Sequence, residues 1–170
     1  MKVNLSLTPA ENVLALVNAA NPSLALDETM VVVASPQDKA DTGDGRNTRV
    51  ALIGKGTGYI NVVTVNYTRR PINVQVVDPV MSLAVDETFT DAMVKSAIAT
   101  QLGLIESELN VLGTIENRVG DTTPLTIESY LGSLVYTADS FDFTLTWAPA
   151  QVSLAGAVAA TDLPGFDAAS

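Results

Sequence analysis

The sequence predicts an α+β protein of two tandem α-β-β-β units, each a small antiparallel sheet with one helix on a face, followed by an extended C-terminal arm. A capped amphipathic helix followed by strands occurs twice, about eighty residues apart. Each copy also closes with a strand in which apolar and polar residues alternate, as in a sheet with one buried face. We place the units at 1–78 and 79–148, and the arm at 149–170.

The first predicted helix begins after Thr8, where Pro9 and Glu11 complete a capping box with proline at the first helical position. Asn21-Pro22 ends the helix, because proline disfavours a helical residue before it. The apolar residues at helical spacing are Val13, Leu16, Val17 and Ala20. We therefore predict a helix over residues 9–21.

The second predicted helix spans residues 91–102, with Thr88 or Thr90 as its cap and Gly103 at its end. Its positions corresponding to the four apolar residues of the first helix lie 81 residues later, at Val94, Ala97, Ile98 and Gln101.

Strands are predicted after both helices. The first is centred on Val32 in one copy and on Val111 in the other. Polar loops at 35–48 and 116–124 then precede the second strands, at 49–53 and 125–131. The alternating apolar residues of the final strands are Val63, Val65 and Tyr67, and Phe143, Leu145 and Trp147. The strings VNLSL and MSLAV are possible leading strands.

Two segments lie outside these elements. Residues 69–80, with two prolines and alternating Val74 and Val76, are predicted to be an extended connector or edge strand. The alanine-rich residues 148–170 cannot form a core alone. Within them, AQVSLAGAV alternates enough to add a strand to a sheet of the same or another chain, and a loosely held tail is the alternative.

The composition excludes several kinds of chemistry. The chain has no cysteine and no histidine, which removes disulfides, thiolate nucleophiles, structural zinc and imidazole catalysis. We therefore predict no catalytic, cofactor-binding or metal site, and no small-molecule substrate. No apolar run of about 18 residues spans a bilayer and no export signal is evident, so we expect a soluble protein without a membrane partner.

The net charge of −10 is unevenly distributed. Residues 1–80 contain seven basic and seven acidic residues, whereas residues 81–170 contain two and twelve. An acidic surface repels phosphate, so we expect no nucleic-acid partner. The balanced half can approach a neighbour at smaller electrostatic cost. The predicted partner interface consists of Arg46, Arg49, Arg69 and Arg70, with Val152 and Leu154 of the arm. Solvated loop arginines are the alternative.

Three short strings imitate active sites. The triplet Asp41-Thr42-Gly43 matches that of aspartic proteases, but no apolar strand precedes it and no second copy supplies a dyad. Asp38, Asp41 and Asp44 lack the alternating ligand order and the final glutamate of a calcium loop. The string at 54–58 has the Gly-Lys pair of a phosphate loop without a following helix, so we predict a turn.

Longer strings carry a resemblance to a known group of proteins. They are NVLALVNAANP, NTRVALIGKGTGYINVVTVNYTR and YLGSLVYTADSFDFTLTW. Together they resemble the repeat units of virion structural proteins from large tailed bacteriophages. The second unit departs from this pattern, because DTTPLTI stands in place of the Asn-Thr-Arg string. The resemblance covers the chain up to the alanine-rich tail, and implies a virion component synthesised in the host bacterial cytoplasm.

Two functions of different classes follow. The first is a non-enzymatic structural subunit of the virion. We expect a capsid decoration or cement protein whose partners are the major capsid protein and further copies of this chain. The alternative within this class is a tail, neck or fibre-associated subunit. The second is a carbohydrate- or host-binding β module. A glycan-binding module needs exposed aromatic residues in a groove, whereas a cement protein needs a broad flat contact and an arm.

Overall fold

In a computed structural model, the described residues are 2–40, 42–75 and 80–148, with side chains described for all of these except 74 and 75. They form helices and mainly antiparallel sheets, which confirms the α+β class. The helices are α1 (Pro9–Ala20), α2 (Ile72–Gln75) and α3 (Asp91–Leu102). The strands are β1 (Val31–Val33), β2 (Gln37–Asp38), β3 (Thr48–Gly54), β4 (Val62–Tyr67), β5 (Arg70–Pro71), β6 (Ser82–Val85), β7 (Leu109–Leu112), β8 (Thr122–Ser129), β9 (Tyr136–Thr137) and β10 (Ser140–Trp147).

Both long helices begin at the caps that the sequence predicts. The Thr8 hydroxyl accepts a hydrogen bond from the Glu11 N–H at 3.1 Å, and the Glu11 carboxylate accepts one from the Thr8 N–H at 2.7 Å. These two bonds complete the capping box of α1. Thr90, and not Thr88, caps α3. Gly103 ends α3 with φ at 66°, a conformation that glycine adopts without a Cβ penalty.

The first sheet is built around β3. β4 pairs with one side of β3, and β1 and β2 pair with the other side, all antiparallel. Val32, Ile53 and Val62 lie directly opposite one another across three strands. Helix α1 covers the opposite face, where Leu14 packs with residues of β1 and β3. The helix covers less of the sheet near β4. Val63 lies on the face that α1 covers but remains 57% exposed.

The second sheet has the order β6-β10-β8-β7. β8 pairs antiparallel with both β7 and β10, and β6 pairs parallel with the outer side of β10. Helix α3 covers one face and contributes Val94, Ile98, Ala99 and Leu102 to a larger core than that of the first sheet. The alternation predicted for β10 is confirmed, since Phe143, Leu145 and Trp147 are all buried.

Some predicted elements are wrong in extent or type. VNLSL, at residues 3–7, forms no strand, whereas MSLAV contains β6. In the described part of the connector, the chain is extended at Arg70–Pro71 and then forms α2, whose Ile72 is fully buried in the core of the second sheet. Residues 76–79, which include Val76, lie outside the described residues. The strand predicted at 125–131 begins earlier and ends at Ser129.

A short parallel pair joins the two sheets. Arg70 lies opposite Tyr136, and Pro71 lies opposite Thr137. β5 follows the last strand of the first sheet in the chain, and β9 precedes the last strand of the second, so their pairing connects the two sheets.

Within the described ranges, no helix combines the length and apolar character needed to cross a bilayer.

Candidate functional site

A buried arginine, Arg69, lies between the two sheets and is only 7% exposed. Its Nε donates to the Thr48 hydroxyl at 2.8 Å. Nη1 donates to the backbone carbonyls of Ser133 at 2.6 Å and Tyr136 at 3.3 Å. Nη2 donates to the Asp38 carboxylate at 2.8 Å. The guanidinium therefore links β2 and β3 of the first sheet to the segment at residues 133–136, which leads through β9 into the second sheet.

The loop before β9 forms the other side of this contact between the sheets, which we call the joint. Tyr67, at the end of β4, donates its hydroxyl proton to the Leu134 carbonyl at 2.7 Å. The Ser133 hydroxyl donates to the buried Glu108 carboxylate and accepts from the Tyr136 N–H at 2.8 Å. We call Tyr67, Arg69, Glu108, Ser133 and Tyr136 the joint cluster.

The joint cluster is interior and satisfied by its own hydrogen bonds. Ser133 is 1% exposed, so it is not positioned to attack a molecule in solvent. Burial raises the pKa of Tyr67 to about 12, and burial likewise raises the pKa of Tyr136. Both phenols are therefore neutral hydrogen-bonding groups at neutral pH. This arrangement fixes one sheet against the other.

The predicted interface arginines do not form one surface. Arg46 and Arg49 meet at Asn66, because Arg49 lies opposite Asn66 across the sheet and Arg46 Nη1 donates to the Asn66 carbonyl at 2.8 Å. Arg70 is exposed on β5. The prediction that Arg69 contacts a partner is wrong, because its buried guanidinium is bound within the chain and presents no charge to a partner. Val152 and Leu154 lie outside the described residues.

The described residues of the strings that imitate active sites lie in or beside the loops that follow β2 and β3. Residues 54–58 lie in the hairpin between β3 and β4, closed by the Gly54 N–H donating to the Asn61 carbonyl at 2.9 Å, so the predicted turn is confirmed. In the preceding loop, the Lys39 ammonium binds the Asp44 carboxylate at 3.0 Å and thereby lowers the pKa of Asp44. Asp41 lies outside the described residues.

Two surface recesses lie on the sheets, with volumes of about 520 and 350 Å³. The first is on the second sheet and the other is on the outer face of the first sheet, beside Arg49 and Thr64. Neither is lined by Tyr59 or Tyr130, the exposed tyrosines. Among the described residues, no three acidic side chains converge as a metal-ion ligand set.

Sequence analysis missed the joint cluster, although one signal for Arg69 was present. Val63, Val65 and Tyr67 share one face of β4, and Arg69 follows at the same two-residue interval. Continuing that alternation would have placed Arg69 on the inner face. Glu108 and Ser133 have no comparable local signal, because a fold that brings distant loops together determines their burial.

Comparison with known proteins gives one result. No curated protein and no solved structure matches the chain. The model of a family of unknown function, DUF7941, matches residues 2–168. Because this match spans nearly the whole sequence, the chain, with its two sheets and buried arginine joint, belongs to the DUF7941 family.

Proposed function

We propose that this protein is a non-enzymatic structural component of a bacteriophage virion, bound to the particle surface as a capsid decoration or cement protein. The observation that carries the proposal is the resemblance of its strand and hairpin strings to repeat units of virion structural proteins. The joint cluster supports it, because a buried polar network that fixes two sheets suits a protein whose role is to hold a shape.

We further propose that the two sheets are tandem copies of one unit. Their hydrogen-bonded registers support this idea. Val33 pairs with Leu52 in the first sheet, and Val111 pairs with Ile127 in the second. Likewise, β3 pairs with β4, and β8 pairs with β10. Between the sheets, β1 and β4 correspond to β7 and β10 at a displacement of 78, and β3 corresponds to β8 at 75. The corresponding threonines, Thr48 and Thr123, are both 0% exposed.

The contact surface proposed for the particle is the outer face of the first sheet. Its exposed apolar row of Val32, Ile53 and Val62 lies on the same face as Arg49. A flat surface that combines apolar and arginine side chains suits contact with another protein. The second sheet belongs to the half with charge −10, so we expect it to face solvent, where salt screens its repulsion.

Co-sedimentation with particles that lack the protein tests this orientation. We expect that changing Arg46 and Arg49 to glutamate weakens binding on the order of tenfold or more, because partner carboxylates would then face like charge. The control removes three exposed acids of the second half, with Glu106→Gln, Glu116→Gln and Asp142→Asn, and should bind like the parent. Loss of binding only in this control would reverse the orientation.

A further inference from the structure

The outer edge of β4 is open. β4 pairs only with β3 among the described strands. The Gly54 N–H donates to the Asn61 carbonyl, which places the backbone groups of Val62, Thr64 and Asn66 on the side away from β3. Within the described residues, no backbone hydrogen bond reaches the outward groups of Val62 or Thr64. Only the Asn66 carbonyl is occupied, by the Arg46 side chain.

The second sheet fills the matching position. Its strand β10 occupies the same place beside β8 as β4 does beside β3. On the outer side of β10, β6 runs parallel, with Ser82-Leu83-Ala84-Val85 paired to residues 144–147. The Thr144 N–H donates to the carbonyl of Met81, the residue before β6, at 3.0 Å, and the Ala148 N–H donates to the Val85 carbonyl at 2.9 Å. Among the residues that the structure describes, no strand takes this place beside β4, and residues 3–7 do not form one.

Apart from Arg46 at its Asn66 end, the β4 edge lacks the usual protection against strand addition. Edge strands are commonly blocked by charged side chains, proline or bulges. β4 reads Val-Val-Thr-Val-Asn-Tyr and contains neither charge nor proline. Val62 is 61% exposed, and Val63 is exposed on the opposite face. An added strand would therefore find free backbone groups and apolar contacts on both faces.

The chain itself contains a suitable strand. Residues 152–158, Val-Ser-Leu-Ala-Gly-Ala-Val, repeat the Ser-Leu-Ala of β6 and place Val152, Leu154 and Val158 at even spacing. Residues 149–161 carry no charge. Contact between this segment and β4 therefore adds no local repulsion, despite the net charge of −10.

The path of the chain favours a second copy as the source. The joint lies near the start of β10, since Thr137 pairs with Pro71 and Ser140 follows three residues later. β10 then extends about 23 Å to Trp147. The four residues from Ala148 to Val152 span at most about 14 Å. The segment thus leaves from the far end of β10 with little chain for returning to β4 of its own molecule.

We propose that residues 152–158 of one copy add as a strand to the β4 edge of a second copy, in the position that β6 occupies on β10. The donated strand supplies main-chain hydrogen bonds to Val62 and Thr64, and its valine and leucine side chains cover the exposed face of Val63. This inference concerns self-association and holds whichever particle the protein joins.

Sedimentation of the full chain over a concentration series tests the proposal. Thr64→Pro removes one outward N–H and blocks pairing, at a position where an edge strand tolerates proline. We expect it to weaken self-association about tenfold or more, whereas Thr64→Ala, which keeps the N–H, should have little effect. Leu154→Asp should match Thr64→Pro, whereas Ser153→Asp, on the other face of the segment, should be milder. A parent that is monomeric throughout overturns the proposal.

Cross-linking then separates a second copy from the same chain. One full-length variant carries Thr64→Cys with Leu154→Asp, and the other carries Ser153→Cys with Thr64→Pro. Since the natural chain has no cysteine, each variant has one thiol. Mild oxidation of the mixture should give a heterodimer in excess over either homodimer. Cross-linking within a chain that carries Thr64→Cys and Ser153→Cys, without heterodimer in the mixture, overturns donation between copies, as does the absence of both products.

Discussion

Arg69 is one of the residues that link the first sheet to the segment leading into the second. Its guanidinium binds Thr48 of the first sheet, the Ser133 carbonyl in the loop before β9 and the Tyr136 carbonyl at the start of β9. An arginine suits this place because its planar fork carries several donors in fixed directions. The buried carbonyls would lose their partners if the fork were removed, and unpaired buried acceptors are costly.

We expect Arg69→Met to lower the free energy of unfolding by about 2–4 kcal/mol, because it strands these buried acceptors while keeping an apolar stem. Urea denaturation measures the change. The matched control is Arg70→Met, because Arg70 is the next residue in the chain and its side chain is exposed. We expect this control to change the free energy of unfolding by no more than about 0.5 kcal/mol. Equal losses in the two variants would mean that Arg69 is not a joint between the sheets.

Tyr67 gives the joint a predicted pH dependence. Burial raises its pKa from 10.0 to about 12, so the unfolded chain loses the phenolic proton first as pH rises. The stability from the neutral phenol is therefore complete below pH 10 and declines between pH 10 and 12. Tyr67→Phe should flatten this decline in urea midpoints, and Tyr59→Phe, the same change at an exposed site, should leave it unaltered. If the urea midpoints of the parent and of Tyr67→Phe fell equally steeply between pH 10 and 12, Tyr67 would not be the cause of the decline.

At the scale of elements, the sequence predicted best what depends on neighbours in the chain. The capping box at Thr8 and the glycine end of α3 rest on contacts within a few residues, and the alternation of β10 is a pattern visible within one strand. The β5–β9 pair and the turn into α2 depend on which distant segments meet, so no local pattern indicates them.

A repeated turn illustrates the same point. Leu-Ala-Leu-Asp-Glu-Thr at 24–29 and Leu-Ala-Val-Asp-Glu-Thr at 83–88 each fold so that the aspartate accepts hydrogen bonds from the threonine hydroxyl and N–H. The threonine hydroxyl is the main cause of the lowered pKa of both Asp27 and Asp86. One turn precedes a strand and the other precedes a helix, so the same local chemistry serves two different elements.

The β3–β4 hairpin depends on Gly54 for a close backbone approach. A Cβ at this position would lie 2.6 Å from the backbone carbon and oxygen of Tyr59, which cannot move without opening the hairpin. We expect Gly54→Ala to lower the free energy of unfolding by about 1–3 kcal/mol, measured by thermal or urea denaturation. Thr57→Ala, at the exposed tip of the hairpin, is the control and should be near neutral. A neutral Gly54→Ala would show that the hairpin can relax around the added methyl group.

At the scale of the whole molecule, structure and charge are distributed differently. The second sheet has the larger core and also the excess of acids. Arg118, one of the two basic residues of that half, is already engaged, pairing with Glu87 at 2.8 Å and stacking 4.5 Å above the Trp147 ring. The first sheet has the smaller cores and an exposed apolar row. These differences underlie our assignment of the first sheet to partner contact and the second to solvent.

The central claim is that the protein is a structural part of a virion surface, and the most direct test is mass spectrometry of purified particles combined with cryo-electron microscopy. We predict peptides of this chain at a fixed copy number per particle, and surface density that fits two sheets, with the first sheet against the particle. Absence of the chain from purified particles, with its presence confirmed in the infected-cell lysate, would contradict the claim.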